Sequence, residues 1–223
     1  VSASAREVFV KVSGITNLED AMLAVRCRVD GLGFVFARGD PRSISAERCA
    51  AIVGALPSHI TKIGEFVGSD RQYVQGILSK VNLSAAQIDG PLGADDLVDF
   101  ETSVIKVFHL ASEFDIEVMR NYLVDAFLLE ACIDAGTHRG EKLFRWDAAQ
   151  QATTYGRVIL SGGLTPDNIG EAVRFVRPYG VNVSEGVERK PGVLDRDRLR
   201  TFVARAKAVR LLDEEDDASK EYP

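Results

Sequence analysis

Two short glycine-bearing stretches, Ser161-Gly162-Gly163-Leu164 and Ser184-Glu185-Gly186-Val187, are the parts of this chain best suited to hold an anion. Glycine lets main-chain N–H groups come close to a ligand, and clustered N–H donors stabilise a phosphate. A plainer role is also open to them, that of tight turns. Arg42, in Asp40-Pro41-Arg42, carries a planar fork that can pair bidentately with a carboxylate, or it can simply sit in a polar loop. Glu130 closes the apolar run Phe127-Leu128-Leu129. Partial desolvation there favours the protonated carboxyl and suits it to general-acid work. Its alternative is a structural pair with Lys106 across the same mouth. Ser13, Gln87 and Asp89 are further polar groups at the ends of apolar runs.

Groups so far apart in sequence need a scaffold that gathers them. Short runs rich in β-branched residues recur at Val8–Ser13, Leu32–Ala37, Ile60–Val67, Ala85–Asp89, Val104–Phe108, Ala126–Glu130, Arg157–Ser161 and Gly180–Ser184. Near-continuous apolarity, as in Val158-Ile159-Leu160, suits strands covered on both faces, as in a parallel sheet. Amphipathic helical stretches lie between them at Leu18–Arg28, Ala46–Leu56, Arg71–Val81, Phe114–Leu123, Pro166–Val176 and Asp197–Val209. The connections after the fourth and sixth strands are shorter or more irregular. Asn17 and Ser45 are expected as N-caps, and Pro166 is expected in a first helical position. Eight strand–helix alternations predict a (β/α)8 TIM barrel, an α/β fold whose strand ends and following loops share one mouth. An open doubly wound sheet would call for a glycine-rich turn after the first strand, and Ser13-Gly14-Ile15-Thr16-Asn17 is a poor one.

Composition narrows the partners. The 223 residues fit one barrel domain, residues 1–223, and no linker divides them. A net charge of −6 argues against nucleic acid, which would need a basic face. Part of that acidity is the run Asp213-Glu214-Glu215-Asp216-Asp217, expected to be a solvated tail over 212–223. No stretch is long and apolar enough to span a membrane, and the start lacks a secretory core, so a cytoplasmic protein is expected. Cys27, Cys49 and Cys132 are sparse, odd in number and without metal-ligand spacing, so no metal site is expected. The expected partner is a phosphorylated small molecule; monomer and homodimer are both open.

Taken together, the segments from about Val10 to Ala206 resemble phosphoribosylanthranilate isomerase. Lys11-Val12-Ser13-Gly14-Ile15-Thr16 is similar to that family's opening Lys-x-Cys-Gly-Ile-Thr motif. Gly33-Phe34-Val35-Phe36 with Pro41-Arg42 matches its second strand and loop. Ser161 to Asn168 matches the seventh-strand phosphate loop, and Gly180 to Glu188, continued by Pro191-Gly192 and Asp195, the eighth. The resemblance implies an Amadori rearrangement: an acid opens the ring of an N-linked 5-phosphoribosyl amine, and a base takes the proton from C2. It implies no metal or organic cofactor. It also implies that Glu130 stands at the acid position, where the family has aspartate, and Ser13 at the base position, where the family has cysteine.

The departures fall on the groups that move protons. A serine hydroxyl stays protonated far above neutral pH, so Ser13 needs an activating base, and no histidine lies in its segment. The family's Gln-Leu-His-Gly reads Gln87-Ile88-Asp89-Gly90, making Asp89 a candidate replacement base with Glu130 as the acid. Asn182 replaces an aspartate and Glu185 a serine in the eighth-strand motif, and Arg145 replaces an aspartate in the loop Ala135 to Trp146. Gln87, Asn182 and Arg42 are the expected substrate-binding residues, and Gly162, Gly163, Ser184, Glu185 and Gly186 the expected phosphate-binding ones. Three readings stand: an isomerase of the tryptophan-biosynthetic type, an enzyme recruited to another amine-linked aromatic, and an inactive barrel that binds a phosphorylated ligand or a partner.

Overall fold

The computed structural model describes residues 5–110, 114–131 and 146–212. The acidic run from Asp213, the loop carrying Arg145 and Cys132 lie outside these residues. Eight parallel strands close on themselves: β1 Phe9–Val12, β2 Gly31–Val35, β3 Thr61–Val67, β4 Ala85–Asp89, β5 Ser103–Leu110, β6 Ala126–Ala131, β7 Val158–Ser161 and β8 Gly180–Val183. β8 pairs with β1 through Lys11 opposite Asn182, so the expected (β/α)8 barrel is the observed one.

Helices α1 Leu18–Arg26, α2 Ala46–Ala55, α3 Arg71–Leu78, α4 Ala94–Leu97, α5 Trp146–Ala152, α6 Ile169–Val176 and α7 Arg196–Lys207 cover the sheet. Asn17 caps α1 by accepting from the Asp20 amide, and Ser45 caps α2 by accepting from Arg48. Two expectations are corrected. The stretch Phe114–Leu123 is not an α-helix; it holds a 3-10 helix at Ile116–Asn121 that buries only Met119. β-Branched Ile116 and Val118 disfavour helix, and Ile116, Met119 and Tyr122, which pack on the core, recur every third residue as a 3-10 turn requires. Pro166 is not in the first helical turn either. It sits in a turn before α6, because the Asn168 side chain reaches back into the preceding loop instead of capping the helix.

Strand alternation makes two cores. Outward residues such as Val10, Leu32, Phe34, Leu129 and Val181 pack under the helices against Cys49, Val74, Ile169 and Phe202. Inward, Ile63, Ala85, Ile105, Val107, Ala126, Leu128 and Ile159 fill the lower half of the barrel. Each such valine, leucine or isoleucine contributes about 1.5–3 kcal/mol on leaving water, and the alanines less. This apolar floor closes the barrel from below, so inward polar groups above it can open only into the mouth. Beneath the floor the first and last described strands are tied together. Ala5–Arg6 pairs with Leu211–Leu212, and Lys207 Nζ binds Asp30 Oδ1 at 2.8 Å. No helix among the described residues is long and apolar enough to cross a membrane.

Candidate active site

Side chains two residues apart on a strand share a face. That rule brings a layer of polar groups into the barrel above its apolar floor. Lys11 is fully buried, and its ammonium donates to Ser13 Oγ at 3.0 Å, Glu65 Oε1 at 2.6 Å and Gln87 Oε1 at 2.6 Å. All three of its protons therefore have acceptors. Ser13 Oγ lies 2.6 Å from Glu65 Oε1 and 2.7 Å from Asn182 Oδ1; its single proton serves one of the two at a time. Asn182 Nδ2 in turn donates to Ser161 Oγ at 3.0 Å. The layer runs from β1 through β3 and β4 and back by β8 to β7.

Glu65 fits because β2 carries a glycine beside it. A Cβ added at Gly33 would lie 1.7 Å from Glu65 Oε1, so the glycine leaves the carboxylate the place it takes here, and a side chain at 33 would displace it. The ammonium of Lys11 compensates the buried charge, which alone would be very costly.

One layer higher, β4, β5 and β6 end in Asp89, His109 and Glu130, with His109 opposite Glu130 and Glu130 opposite Ser161 in register. Both carboxylate oxygens of Asp89 meet His109 Nε2, at 2.9 and 3.0 Å. This hydrogen bond raises the imidazole pKa above its ordinary 6.5, with the charges of Asp89 and Glu130 adding to it. The imidazole that position 89 lacks is thus delivered from the neighbouring strand. Lys106 does not pair with Glu130 across the mouth, contrary to the structural alternative. One residue off the inward set, it points to the outer face of β5 and donates to the carbonyls of Gly90 and Leu92. Burial lowers its pKa.

Arg42 is held from outside the mouth. Its Nε and Nη2 donate to Glu188 at 3.0 and 2.7 Å, and Glu188 also accepts from the Gly192 amide. This bond to Glu188 raises the guanidinium pKa further. A protein carboxylate therefore already takes one edge of the fork, while Nη2 also lies 3.9 Å from Glu185.

The two glycine loops meet. Gly162 and Gly163 have φ of 84° and 65°, the left-handed region that side chains disfavour. Asn168 pins their loop by accepting from the Thr165 amide and donating to Gly163 O. Gly186 comes so close that a Cβ there would lie 2.1 Å from Leu164 O. Gly162, Gly163, Ser184, Glu185 and Gly186 line one open cavity of about 1160 Å³ together with Glu130 and Asn182. The expected phosphate-binding residues thus share one cavity with Glu130 and Asn182, Ser13 is joined to it through Asn182, and Arg42, Gln87 and Asp89 stand outside its lining. Among the described residues no group of histidine, cysteine, aspartate and glutamate could hold a metal ion.

Sequence reasoning missed Glu65 and His109, and it used Lys11 only as a motif letter. A signal was there: each stands two residues after an apolar one on its strand, Phe9 for Lys11, Ile63 for Glu65 and Val107 for His109.

A family model described as N-(5'-phosphoribosyl)anthranilate (PRA) isomerase matches residues 10–205. The chain belongs to this family. A PRA isomerase of Pelobacter propionicus is 41% identical over 90% of this chain and 96% of its own length. The enzyme of Geobacter sulfurreducens is 40% identical over 90% and 98%. The crystal structure of the Thermotoga maritima PRA isomerase superposes with a TM-score of 0.81 at 34% identity, covering 91% of this chain and all of that one. A PRA isomerase in complex with reduced 1-(o-carboxyphenylamino)-1-deoxyribulose 5-phosphate matches with a TM-score of 0.80 at 33% identity. The Thermotoga protein is described as dimeric, with monomers generated from it.

Proposed function

We propose that this chain is an aldose–ketose isomerase acting on N-(5'-phosphoribosyl)anthranilate and forming 1-(o-carboxyphenylamino)-1-deoxyribulose 5-phosphate, the tryptophan-biosynthetic reaction of its family. The observation that carries this is the convergence of Gly162, Gly163 and Gly186 on one cavity with Glu130 at its wall. The phosphate would lie on the main-chain amides of these glycines and of Ser184 and Glu185. Arg42 would present its Nη groups to the anthranilate carboxylate while Glu188 steadies the other edge. Gln87 and Asn182 orient the sugar hydroxyls, and no cofactor is needed.

With the sugar so placed, Glu130 protonates the ring oxygen and the C1–O bond breaks, leaving an iminium between C1 and the aryl nitrogen. Loss of the C2 proton gives the enaminol. Protonation at C1 and loss of the O2 proton then yield the ketose, and both enzyme groups return to their starting states. Asp89 has both oxygens committed to His109, which suits it to holding that imidazole beside Glu130. No observation favours the inactive barrel.

The test is conversion of N-(5'-phosphoribosyl)anthranilate by the purified chain, followed through the ketose product. Turnover that falls by about 10²–10⁴ in Glu130→Gln is expected. An absence of both turnover and binding of the reduced product would refute the assignment.

A further inference from the structure

The position where the family carries a cysteine base is a serine here, and the structure supplies what that serine lacks. Glu65 Oε1 lies 2.6 Å from Ser13 Oγ, on the inward face of β3. It is the one carboxylate in the layer that also holds Lys11, Ser13, Gln87 and Asn182. Its side chain keeps about a tenth of its surface open, while Lys11 beneath it keeps none. Above the apolar floor, Ser13 links Glu65 to Asn182, a residue of the cavity wall.

From this we infer that Glu65 is the catalytic base that removes the C2 proton, with Ser13 reduced to an orienting group. The inference rests on the isomerase reading above and names the proton acceptor that reading requires. In the step, the C2–H bond breaks and its electron pair forms the C1–C2 double bond as the iminium nitrogen becomes a neutral amine. The proton passes to Glu65 as a carboxylic acid. It is given back at C1 while Glu130, now a carboxylate, takes the O2 proton, so neither group ends the cycle changed. A carboxylate is a competent base for this step, because a neighbouring iminium acidifies the C–H bond much as a carbonyl does. Three neighbours prepare it. Lys11 balances its charge, Gly33 leaves the space it occupies, and Ser13 fixes one oxygen. Asp89 is the weaker candidate, since His109 meets both of its oxygens.

The experiment compares the wild-type chain with Glu65→Gln, Glu65→Asp and Ser13→Ala, using N-(5'-phosphoribosyl)anthranilate and its C2-deuterated form. Affinity for reduced 1-(o-carboxyphenylamino)-1-deoxyribulose 5-phosphate is measured alongside. Glu65→Gln is expected to lower kcat by about 10²–10⁴ with KM and analogue affinity little changed. Ser13→Ala is expected to lower it by less than about tenfold, in keeping with a lost orienting hydrogen bond. Deuterium at C2 should slow Glu65→Asp, whose carboxylate is drawn back by one methylene, at least as much as the wild type. If Glu65→Gln does not fold, Glu65→Asp decides: reduced kcat with intact analogue affinity supports the base, and undiminished kcat overturns it. Wild-type turnover that Glu65→Gln retains within about threefold overturns the role of Glu65 and leaves the isomerase standing. A wild type that neither turns over the substrate nor binds the analogue overturns both.

Discussion

At the scale of single residues, charge pairing and burial set the response to pH, to reagents and to substitution. His109 has a raised pKa because Asp89 accepts from it, so the folded state binds its proton more tightly than the unfolded one. The stabilisation is therefore fully present below the ordinary imidazole value of 6.5 and is lost as pH rises through the raised one. With half of the imidazole exposed, solvent screening keeps the effect small. An NMR titration of His109 should show this midpoint falling in Asp89→Asn; an unmoved midpoint would mean that the pair does not form. Cys49 is a second case. Burial alone pushes its thiol up to about 12, so alkylating reagents should label it only after unfolding. Arg42 and Glu188 form the third. Glu188 is buried and Arg42 partly so, and removing the carboxylate loses charge-assisted hydrogen bonds, so Glu188→Ala is expected to cost about 1.5–3 kcal/mol in denaturant unfolding. A loss under about 1 kcal/mol would place the pair among exposed ones.

Elements carry these residues to one place, and here the sequence was uneven as a guide. The strands after which Gly162 and Gly186 turn were legible, because β-branched runs bounded by glycine have few other readings. The helix expected over Phe114–Leu123 was not, because Ile116, Met119 and Tyr122, which pack there, recur every third position, the period of a 3-10 turn. Glu65 stayed hidden for a different reason. In Ile63-Gly64-Glu65-Phe66 a lone charge marks an inward position only once register is known, and its partner Lys11 lies 54 residues away. The loop elements give a prediction of their own. Gly186→Ala must push a methyl group against Leu164 O, a backbone atom that cannot rotate away. The β7 and β8 loops should part, raising KM for the phosphorylated substrate while thermal stability falls only modestly. An unchanged KM would show that the amides of the two loops do not share one phosphate.

For the whole molecule, fold and family were legible because eight strand–helix alternations admit few architectures and four motifs fell in barrel order. What composition could not reveal was how the ring is fastened. Asp30 binds the Val10 amide and Lys207 at the base of the barrel, joining the first two strands to the last helix. Asp30→Ala removes both bonds and is expected to cost about 1–3 kcal/mol. In a domain of this size that lowers the melting temperature by about 2–4 °C for each kcal/mol. Calorimetry reads the change directly.

Lys11 has one further consequence. Its ammonium joins strands one, three and four through acceptors that alternate in and out along each chain. A barrel threaded with strand three or four slipped by one residue would turn Glu65 or Gln87 to the helices and leave a buried cation short of an acceptor. The two bonds from Lys11 to Glu65 and Gln87 therefore also act as a key against misthreading, and neutral replacements of Lys11 should refold more slowly and less uniquely even where the final barrel is stable.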